Sequence, residues 1–242
     1  MNFLINKSFK NKSVLIRVDF NVPLNNELQI TDDSRIVAAL PTIKHVLDSG
    51  AKIVLISHLG RPKGVDKTLS LLPVSKKLSK LLDKPVIFLN DCIGENIENC
   101  IKSGEAGDIF LLENLRFYKE ETKGDYAFSK KLSNLADVYI NDAFGTSHRA
   151  HASTHGVVEH FQDEKYCGLL LEKEIINLNK VFNQNNSPSI AIIGGAKISS
   201  KIDVLFSLIN CVDKIIIGGG MAYTFIRALG GNVGASLFEK DK

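Results

Sequence analysis

The sequence predicts an α/β protein in which a three-layer domain built on a parallel sheet is followed by an incomplete second, Rossmann-like α/β domain. Three observations support this class. Short runs rich in β-branched residues recur along the chain, these runs are mostly apolar and lack polar alternation, and most of them are separated by segments with helical spacing. Strands without polar alternation are typical of sheets covered on both faces. Their alternation with helices indicates parallel βαβ units.

Seven strands and six helices are predicted from these patterns. The strands cover residues 13–18, 52–57, 85–89, 108–112, 137–140, 189–193 and 214–217. The helices, in which apolar residues recur with the helical period, cover residues 34–47, 71–82, 126–135, 169–182, 199–209 and 222–229. The sequence Thr31-Asp32-Asp33-Ser34 predicts a capped start for the first of these helices.

The strands and helices group into two domains. Residues 1–168 hold five strand runs and are predicted to form a complete domain, and residues 169–185 are predicted to be an interdomain helix with a polar linker. Residues 186–242 hold two strands and two helices. A segment of that size buries too little apolar surface to be stable on its own. We therefore expect residues 186–242 to be the start of a longer domain.

The charge and hydropathy of the chain bear on its partners. The formal net charge is +3, from 30 basic and 27 acidic residues, and the lysines are spread along the chain. That distribution is typical of a solvated surface and does not favour a nucleic acid partner. No apolar run is long enough to span a bilayer, and the first residues lack the apolar core of a signal peptide. We therefore expect a cytoplasmic protein that binds neither nucleic acid nor membranes. We also expect it to be a monomer.

Polar side chains that could bind a ligand are concentrated after the early strands. Parallel strands end along one edge of their sheet, and ligands bind in the crevice outside that edge. The candidate residues for such a crevice are Asp19, Asn21, Arg35, His58, Arg61, Arg116 and Arg149. Four arginines indicate a small anionic ligand that carries phosphate or carboxylate groups. Asp19 and Asn21 suit hydrogen bonds to a hydroxyl group of the same ligand.

Simpler explanations apply to some of these residues. A single arginine is often part of a surface ion pair of little energetic value, and this interpretation is favoured for Arg17 and Arg227. Most of the histidines fall in one stretch, at His148, His151, His155 and His160. A metal site is not favoured there, because no glutamate or cysteine accompanies them in a zinc-binding pattern. We expect them to support Arg149 and the ligand by hydrogen bonding, and we expect His45 to lie on a helix surface.

A second cluster follows the strand predicted at 189–193. It consists of Gly194, Gly195, Ala196, Lys197 and Lys201, and the next strand leads into a glycine loop that contains Gly218 and Gly219. Backbone N–H groups in such loops approach phosphates closely, and lysines four residues apart share a face if both are helical. A tight strand-to-helix turn explains either loop equally well. Neither loop matches the P-loop or the dinucleotide fingerprint.

Taken together, these motifs resemble one known family. The stretches that carry the resemblance are residues 17–23, 57–62, 113–117, 141–146, 148–151, 194–197 and 217–222. In this order, and along the length of the chain, they resemble the phosphoglycerate kinase family. The resemblance implies a two-domain glycolytic enzyme that transfers the acyl phosphate of 1,3-bisphosphoglycerate to Mg-ADP, reversibly, giving 3-phosphoglycerate and ATP.

The resemblance also implies a role for individual residues. Arg35 and Lys197 would face the phosphoryl group in flight, and closure of the two domains would bring them together. The residues implied to hold the substrate are Asp19, Phe20, Asn21, Arg35, His58, Leu59, Gly60, Arg61, Arg116 and Arg149. Those implied to bind ADP or ATP are Gly194, Gly195, Ala196, Lys197, Lys201, Gly218 and Gly219.

The family pattern continues beyond this sequence. The resemblance places the magnesium ligand in that further part, so no metal ligand is expected among these residues. We expect the 242-residue chain alone to be weakly active or inactive. A non-catalytic module that binds 3-phosphoglycerate is the alternative, and a nicotinamide dehydrogenase is disfavoured by the missing fingerprint.

Overall fold

The computed structural model describes residues 2–4, 7–182 and 188–241. The chain divides into two compact units, Met1–Glu174 and Ile175–Lys242, which we call unit 1 and unit 2. The division falls within the segment 169–185 that the sequence assigns to an interdomain helix and linker. Residues 183–187 of that segment lie outside the described residues.

In its described residues, unit 1 is built on a parallel sheet of six strands in the order β3-β4-β2-β1-β5-β6. The strands are β1 (Ser13–Arg17), β2 (Lys52–Ile56), β3 (Ile87–Phe88), β4 (Ile109–Leu111), β5 (Val138–Asn141) and β6 (Lys165–Cys167). From β1 the chain first builds the side of the sheet that contains β2, and then crosses to the side that contains β5. β1 is therefore the point at which the strand order reverses, where open α/β sheets form their ligand crevice.

Six α-helices begin in the described residues of the same part of the chain. They are α1 (Ser34–Asp48), α2 (Leu72–Leu82), α3 (Glu95–Ser103), α4 (Lys119–Lys123), α5 (Tyr126–Ser133) and α6 (Leu169–Phe182), the last of which runs into unit 2. No helix in the described part of the chain is both long enough and apolar enough to cross a membrane.

Helices cover both faces of the sheet, which confirms the three-layer architecture. Side chains alternate between the faces along each strand. Val14 and Ile16 of β1 therefore join a core that also contains buried residues of α1 and α2. Leu15 joins the opposite core, with buried residues of α3 and α5. Full burial of one such aliphatic side chain stabilises the fold by about 1.5–3 kcal/mol.

Three of these elements are missing from the sequence prediction: β6, α3 and α4, whose five residues include no apolar side chain and so show no helical pattern. β6 is missing from the prediction because its three residues form no apolar run. It forms a strand of the sheet because it pairs with β5. α3 is also missing, because most of its residues are polar and only Ile97 and Ile101 are buried. Those two residues lie one helical turn apart and face the core together.

The start of α1 also differs in detail. Asp33 is the residue before the helix, but its side chain makes no capping hydrogen bond. Asp32 Oδ1 instead accepts a hydrogen bond from Ser34 N at 2.9 Å. His45 is half-buried rather than on the surface, and its Nε2 atom has no hydrogen-bond partner among the described residues.

In unit 2, the described residues form a two-stranded parallel sheet and two helices beyond α6. The strands are β7 (Ile190–Gly194) and β8 (Lys214–Gly218), and the helices are α7 (Ile202–Ile209) and α8 (Met221–Ala228). The cluster of buried apolar residues is small and consists of Ile198, Leu205 and Met221. Ile192 of β7 is 77% exposed and Phe206 of α7 is 64% exposed. Unit 2 therefore has the α/β order of the incomplete second domain, with much of its apolar surface uncovered.

A buried carboxyl group anchors the start of α6. Asp142 follows β5 and is fully buried. Its Oδ1 atom accepts hydrogen bonds from Leu170 N at 2.9 Å and Leu171 N at 3.2 Å. Its Oδ2 atom has no partner among the residues that the structure describes. A Cβ atom on Gly168 would lie 2.2 Å from Oδ1, so glycine is required for this close approach.

We predict that Asp142→Asn alters the pH dependence of stability. Burial raises the folded-state pKa of Asp142 from 3.8 to about 6, although the nearby Thr42 hydroxyl and the hydrogen bonds from the helix amides oppose the shift. Between these values the unfolded chain is ionised while the folded chain keeps its proton. The stability contributed by this group is therefore complete below the unfolded pKa and is lost as the pH rises through the folded pKa.

Asparagine keeps an acceptor for the two helix amides and does not titrate. The free energy of unfolding of the variant, relative to wild type, should therefore rise by on the order of 2–3 kcal/mol between about pH 4 and pH 7. Urea unfolding at the two pH values measures this difference. Asp163→Asn, which changes an exposed carboxylate, is the matched control and should show no such rise. Parallel profiles for wild type and Asp142→Asn would contradict the prediction.

Candidate active site

The predicted arginines converge on one crevice at the carboxyl edge of the unit 1 sheet. The crevice has a volume of about 290 Å³ and is lined by Asp19, Asn21, Arg35, His58, Gly60, Arg61, Arg116, Gly145, Thr146 and Arg149. These residues follow β1, β2, β4 and β5, or begin α1. The parallel sheet thus brings together side chains that lie more than a hundred residues apart in the sequence.

The side chain of Asn114 joins the loops of the crevice by hydrogen bonds. It is fully buried, and its Nδ2 atom donates hydrogen bonds to Leu59 O at 2.7 Å and Leu69 O at 2.9 Å. Its Oδ1 atom accepts from Leu59 N and from Arg116 N, each at 3.1 Å. One amide side chain therefore fixes the loop after β2 to the turn that carries Arg116.

Gly60 links the same loop to two crevice side chains. Its N–H group donates to Asn21 Oδ1 at 2.8 Å, and its carbonyl oxygen accepts from Arg116 Nη1 at 2.6 Å. The residue has φ +63°, and a Cβ atom here would lie 2.9 Å from Leu69. Glycine is required because a side chain would be strained and would also meet Leu69.

Asp19 is the counter-charge within the crevice. Arg35 Nη1 donates to Asp19 Oδ2, and half of the Arg35 side chain is exposed while Asp19 is 13% exposed. A Cβ atom on Gly145 would lie 3.0 Å from the same carboxylate oxygen. Because Arg35 remains half exposed, it can turn from Asp19 towards an anionic ligand.

His58 is neutral in this setting. Burial and the nearby charges of Arg17, Arg116 and Arg35, with a contribution from His151, lower its pKa to about 2. The 4.0 Å separation of His58 Nδ1 from Asp19 Oδ1 is therefore not an ion pair. Neutral His58 can donate one hydrogen bond to a ligand without changing the charge of the crevice.

The sequence analysis favoured a surface ion pair for Arg17, and the structure shows that this interpretation is wrong. Arg17 is the last residue of β1 and is fully buried. Its Nε atom donates to Ser153 Oγ at 2.9 Å, and Nη1 donates to the Val18 carbonyl oxygen. Nη2 lies 3.1 Å from His58 Nδ1. The strand end turns this side chain beneath the crevice rather than into solvent, which no local pattern in the sequence indicates.

Two of the residues that the resemblance assigns to the substrate lie in the core and not in the crevice. Phe20 is fully buried and Leu59 is 2% exposed. Their N–H groups are also used internally, since Phe20 N donates to Ser57 Oγ at 2.8 Å and Leu59 N donates to Asn114. Both residues shape the loops, and neither side chain lines the crevice.

The histidine stretch has mixed surroundings. Arg149 Nε lies 3.3 Å from His148 Nε2, whereas His151 is buried with its Nδ1 atom 3.9 Å from Glu121 Oε1. His160 packs edge-on against Tyr126. The described residues contain no group of three His, Cys, Asp or Glu side chains that could hold a metal ion.

An adjoining cleft extends the cationic surface. It has a volume of about 610 Å³ and shares Arg61, Arg116 and Arg149 with the crevice. Its lining adds Lys63 and Lys119, which sequence reasoning missed. Lys63 lies two residues beyond Arg61 and Lys119 lies three beyond Arg116, so proximity to the predicted arginines could have indicated them.

In unit 2, the two glycine loops pack backbone against backbone. Gly219 has φ +70°, and a Cβ atom on it would lie 3.0 Å from the nitrogen and oxygen atoms of Gly195. Met221 N also donates to Gly195 O at 2.8 Å. Gly194 pairs with Gly218 at the ends of β7 and β8. The loops that follow these strands therefore lie side by side.

The placement of the two lysines needs a correction. α7 begins at Ile202, so Lys197 and Lys201 lie in the turns before it and do not share a helix face. Lys201 N donates to Ile198 O at 2.8 Å, and Ser199 N donates to Glu239 Oε2 at 3.0 Å. Lys201 still crosses the first loop, because a Cβ atom on Gly195 would lie 3.2 Å from Lys201 Cε.

Comparison with known proteins identifies the family. The model of the family described as phosphoglycerate kinase matches residues 4–242. The chain belongs to the phosphoglycerate kinase family. Relatives include the phosphoglycerate kinases of Dictyoglomus turgidum, 56% identical over 99% of this chain, and Clostridium botulinum, 53% identical over 96% of it. The chain spans about 60% of the length of these curated relatives.

Solved structures of phosphoglycerate kinases are similar to this chain. The structure from Coxiella burnetii aligns with a TM-score of 0.86 and 40% identity, covering 98% of this chain and 59% of that one. The structure from Pyrococcus horikoshii aligns with a TM-score of 0.85 and 35% identity, covering 97% and 59%. The α/β fold is therefore shared with this family.

We predict that Asn114→Ala weakens both the fold and the crevice. The substitution leaves two N–H groups and two carbonyl oxygens without their partner in a buried site. It should lower the free energy of unfolding by about 2–4 kcal/mol, which urea unfolding followed by circular dichroism measures. Asn26→Ala, at an exposed position, is the control and should have almost no effect. A midpoint unchanged by Asn114→Ala would show that these four hydrogen bonds do not hold the loops.

Proposed function

We propose that this chain contributes the 3-phosphoglycerate site and part of the nucleotide site of a phosphoglycerate kinase, which transfers a phosphoryl group reversibly between 1,3-bisphosphoglycerate and ADP. One observation carries the proposal: the four arginines Arg35, Arg61, Arg116 and Arg149 line one crevice. Family membership supports the reaction class.

The charge of the crevice matches that of 3-phosphoglycerate. The four arginines face one carboxylate, that of Asp19, and His58 is neutral. The lining therefore carries an excess of three positive charges. A phosphate group contributes up to about two negative charges and the carboxylate adds another. Arginine is suited to both groups because its N–H groups pair with two oxygens at once.

The remaining polar groups are suited to the hydroxyl group of the glycerate and to the phosphoryl group that is transferred. Asn21 keeps its Nδ2 donor, because its Oδ1 atom is used by Gly60. In this proposal Asp19 accepts a hydrogen bond from the hydroxyl when Arg35 turns towards the phosphoryl group. Phosphoryl transfer depends mainly on positioning and on neutralisation of the transferring oxygens. Arg35 in unit 1 and Lys197 in unit 2 are the residues proposed for that neutralisation.

The glycine loops of unit 2 are proposed to receive the phosphates of ADP or ATP. Lys201 lies over the first loop, and Lys197 is exposed beside it. Exposed backbone in such a loop can donate hydrogen bonds to phosphate oxygens. The described residues do not fit a resident magnesium site. Magnesium enters this proposal only as the counter-ion of the nucleotide, where it neutralises phosphate charge.

A non-catalytic module that binds 3-phosphoglycerate is the second candidate. It is favoured by the contrast between the units, since unit 1 has two extensive cores whereas the buried cluster of unit 2 contains three residues. The crevice needs only unit 1 residues. Titration calorimetry separates the candidates, because binding of 3-phosphoglycerate without any binding of ADP would favour the module.

We predict that Arg61→Ala and Arg149→Ala each weaken the binding of 3-phosphoglycerate by about 1.5–3 kcal/mol, the range for a hydrogen bond to a charged group. Isothermal titration calorimetry on the 242-residue chain measures the affinity. Arg227→Ala removes an exposed arginine from unit 2 and is the matched control. The crevice assignment is wrong if both crevice variants bind as tightly as the control.

We predict that Lys201→Ala weakens the binding of ADP about tenfold, since it removes a cation from the glycine loop. Lys214→Ala serves as the control, because Lys214 is exposed and begins β8, at the opposite end of the strand from the loop. Equilibrium dialysis with ADP gives both affinities. Equal loss in the two variants would indicate a non-specific effect of charge and contradict the assigned site.

A further inference from the structure

We infer that Arg17 is a positioning residue that fixes the tautomer of His58, so that His58 presents its Nε2–H group to the crevice. Arg17 is fully buried and does not line the crevice, so it acts through the imidazole and not on a ligand. The consequence for substrate binding rests on the proposed function, whereas the tautomer itself does not.

The hydrogen-bonding capacity of arginine decides which atom of His58 carries the proton. A guanidinium group has five N–H donors and no acceptor. Arg17 Nη2 lies 3.1 Å from His58 Nδ1, within hydrogen-bond distance. Nδ1 must therefore be the acceptor, and it carries no proton. In a neutral imidazole the proton is then on Nε2.

A buried network holds Arg17 in the required position. Arg17 Nε donates to Ser153 Oγ at 2.9 Å, and the same hydroxyl lies 2.5 Å from Glu121 Oε1. Ser153 N donates to Glu121 Oε2 at 2.9 Å. Tyr139 OH donates to Ser153 O at 2.8 Å. Ser153 thus links two fully buried, opposite charges, those of Arg17 and Glu121.

The electrostatic surroundings keep the imidazole neutral. The cationic groups that face His58 are Arg17, Arg35 and Arg116, and burial together with their charges lowers its pKa. The titratable groups that also face it are His151 and Asp19, whose Oδ1 atom is 4.0 Å from Nδ1. Protonation would place a further N–H group on Nδ1 against the Arg17 donor, so the positive form is excluded by geometry as well as by charge.

The tautomer matters because the crevice is built for an anion. An Nε2–H group donates to a phosphate or carboxylate oxygen, whereas the other tautomer would present a lone pair to the same oxygen. Without Arg17, nothing in the described surroundings of Nδ1 forces it to accept, and the two tautomers can exchange. A fraction of the molecules would then have to shift its proton before binding, which reduces the apparent affinity.

Nitrogen-15 NMR of the histidine-labelled 242-residue chain tests the inference without any ligand. In the wild type, the His58 resonances should show Nε2 protonated and Nδ1 unprotonated from about pH 5 to pH 8. A proton on Nδ1 anywhere in this range would overturn the inference. The result is independent of whether the chain binds 3-phosphoglycerate, so it separates this inference from the proposed function.

Variants then test the role of Arg17. In Arg17→Met, His58 should populate the Nδ1–H tautomer or become protonated within the same range, and the affinity for 3-phosphoglycerate should fall about tenfold. If this variant does not fold, because Glu121 is left without its counter-charge, the double variant Arg17→Met with Glu121→Gln removes both charges and gives the same readings. An unchanged His58 tautomer in the folded variant would overturn the inference.

Arg61→Ala is the matched control. It should weaken the binding of 3-phosphoglycerate while leaving the His58 resonances of the free protein as in wild type. If the tautomer changes in this variant too, the effect belongs to the general charge of the crevice and the assignment to Arg17 is overturned.

Discussion

The parallel pairing of β1 with β2 on one side and β5 on the other is the constraint on which the site depends. Arg17 pairs in register with Ile56 and with Asn141. The three strands therefore end level with one another, and the loops that follow them open at the same edge. A shift of one residue in either register would turn the side chains of one strand to the opposite face and move its loop along the edge.

Bringing four arginines to one crevice has an electrostatic cost that the surroundings partly offset. Asp19 is paired with Arg35, His58 remains neutral, and Glu121 balances Arg17 beneath the crevice through Ser153. Burial and the nearby arginines Arg149 and Arg17 lower the pKa of Arg116. An arginine nevertheless keeps its charge at neutral pH. An anionic ligand relieves this mutual repulsion, so the same arrangement that destabilises the free crevice favours binding.

The sequence predicted the parts of the structure that depend on local pattern. Apolar runs gave the buried strands, and their order along a parallel sheet was enough to group Arg35, Arg61, Arg116 and Arg149. The misses depend on tertiary contacts. β6 exists through its pairing with β5, and Arg17 is buried because partners from distant loops meet it. α7 begins three residues later than predicted, because the residues around Lys197 and Lys201 form turns. In these turns Ser199 donates a hydrogen bond to Glu239, a residue forty positions away.

The central claim is that one anionic ligand contacts loops that follow different strands of unit 1. Backbone amide NMR during titration of the 242-residue chain with 3-phosphoglycerate tests it most directly. The account predicts that the signals of residues 19–21, 58–61, 116 and 145–149 shift together, with a single saturation curve. Shifts confined to one of these loops, or scattered over the surface with different saturation curves, would contradict it.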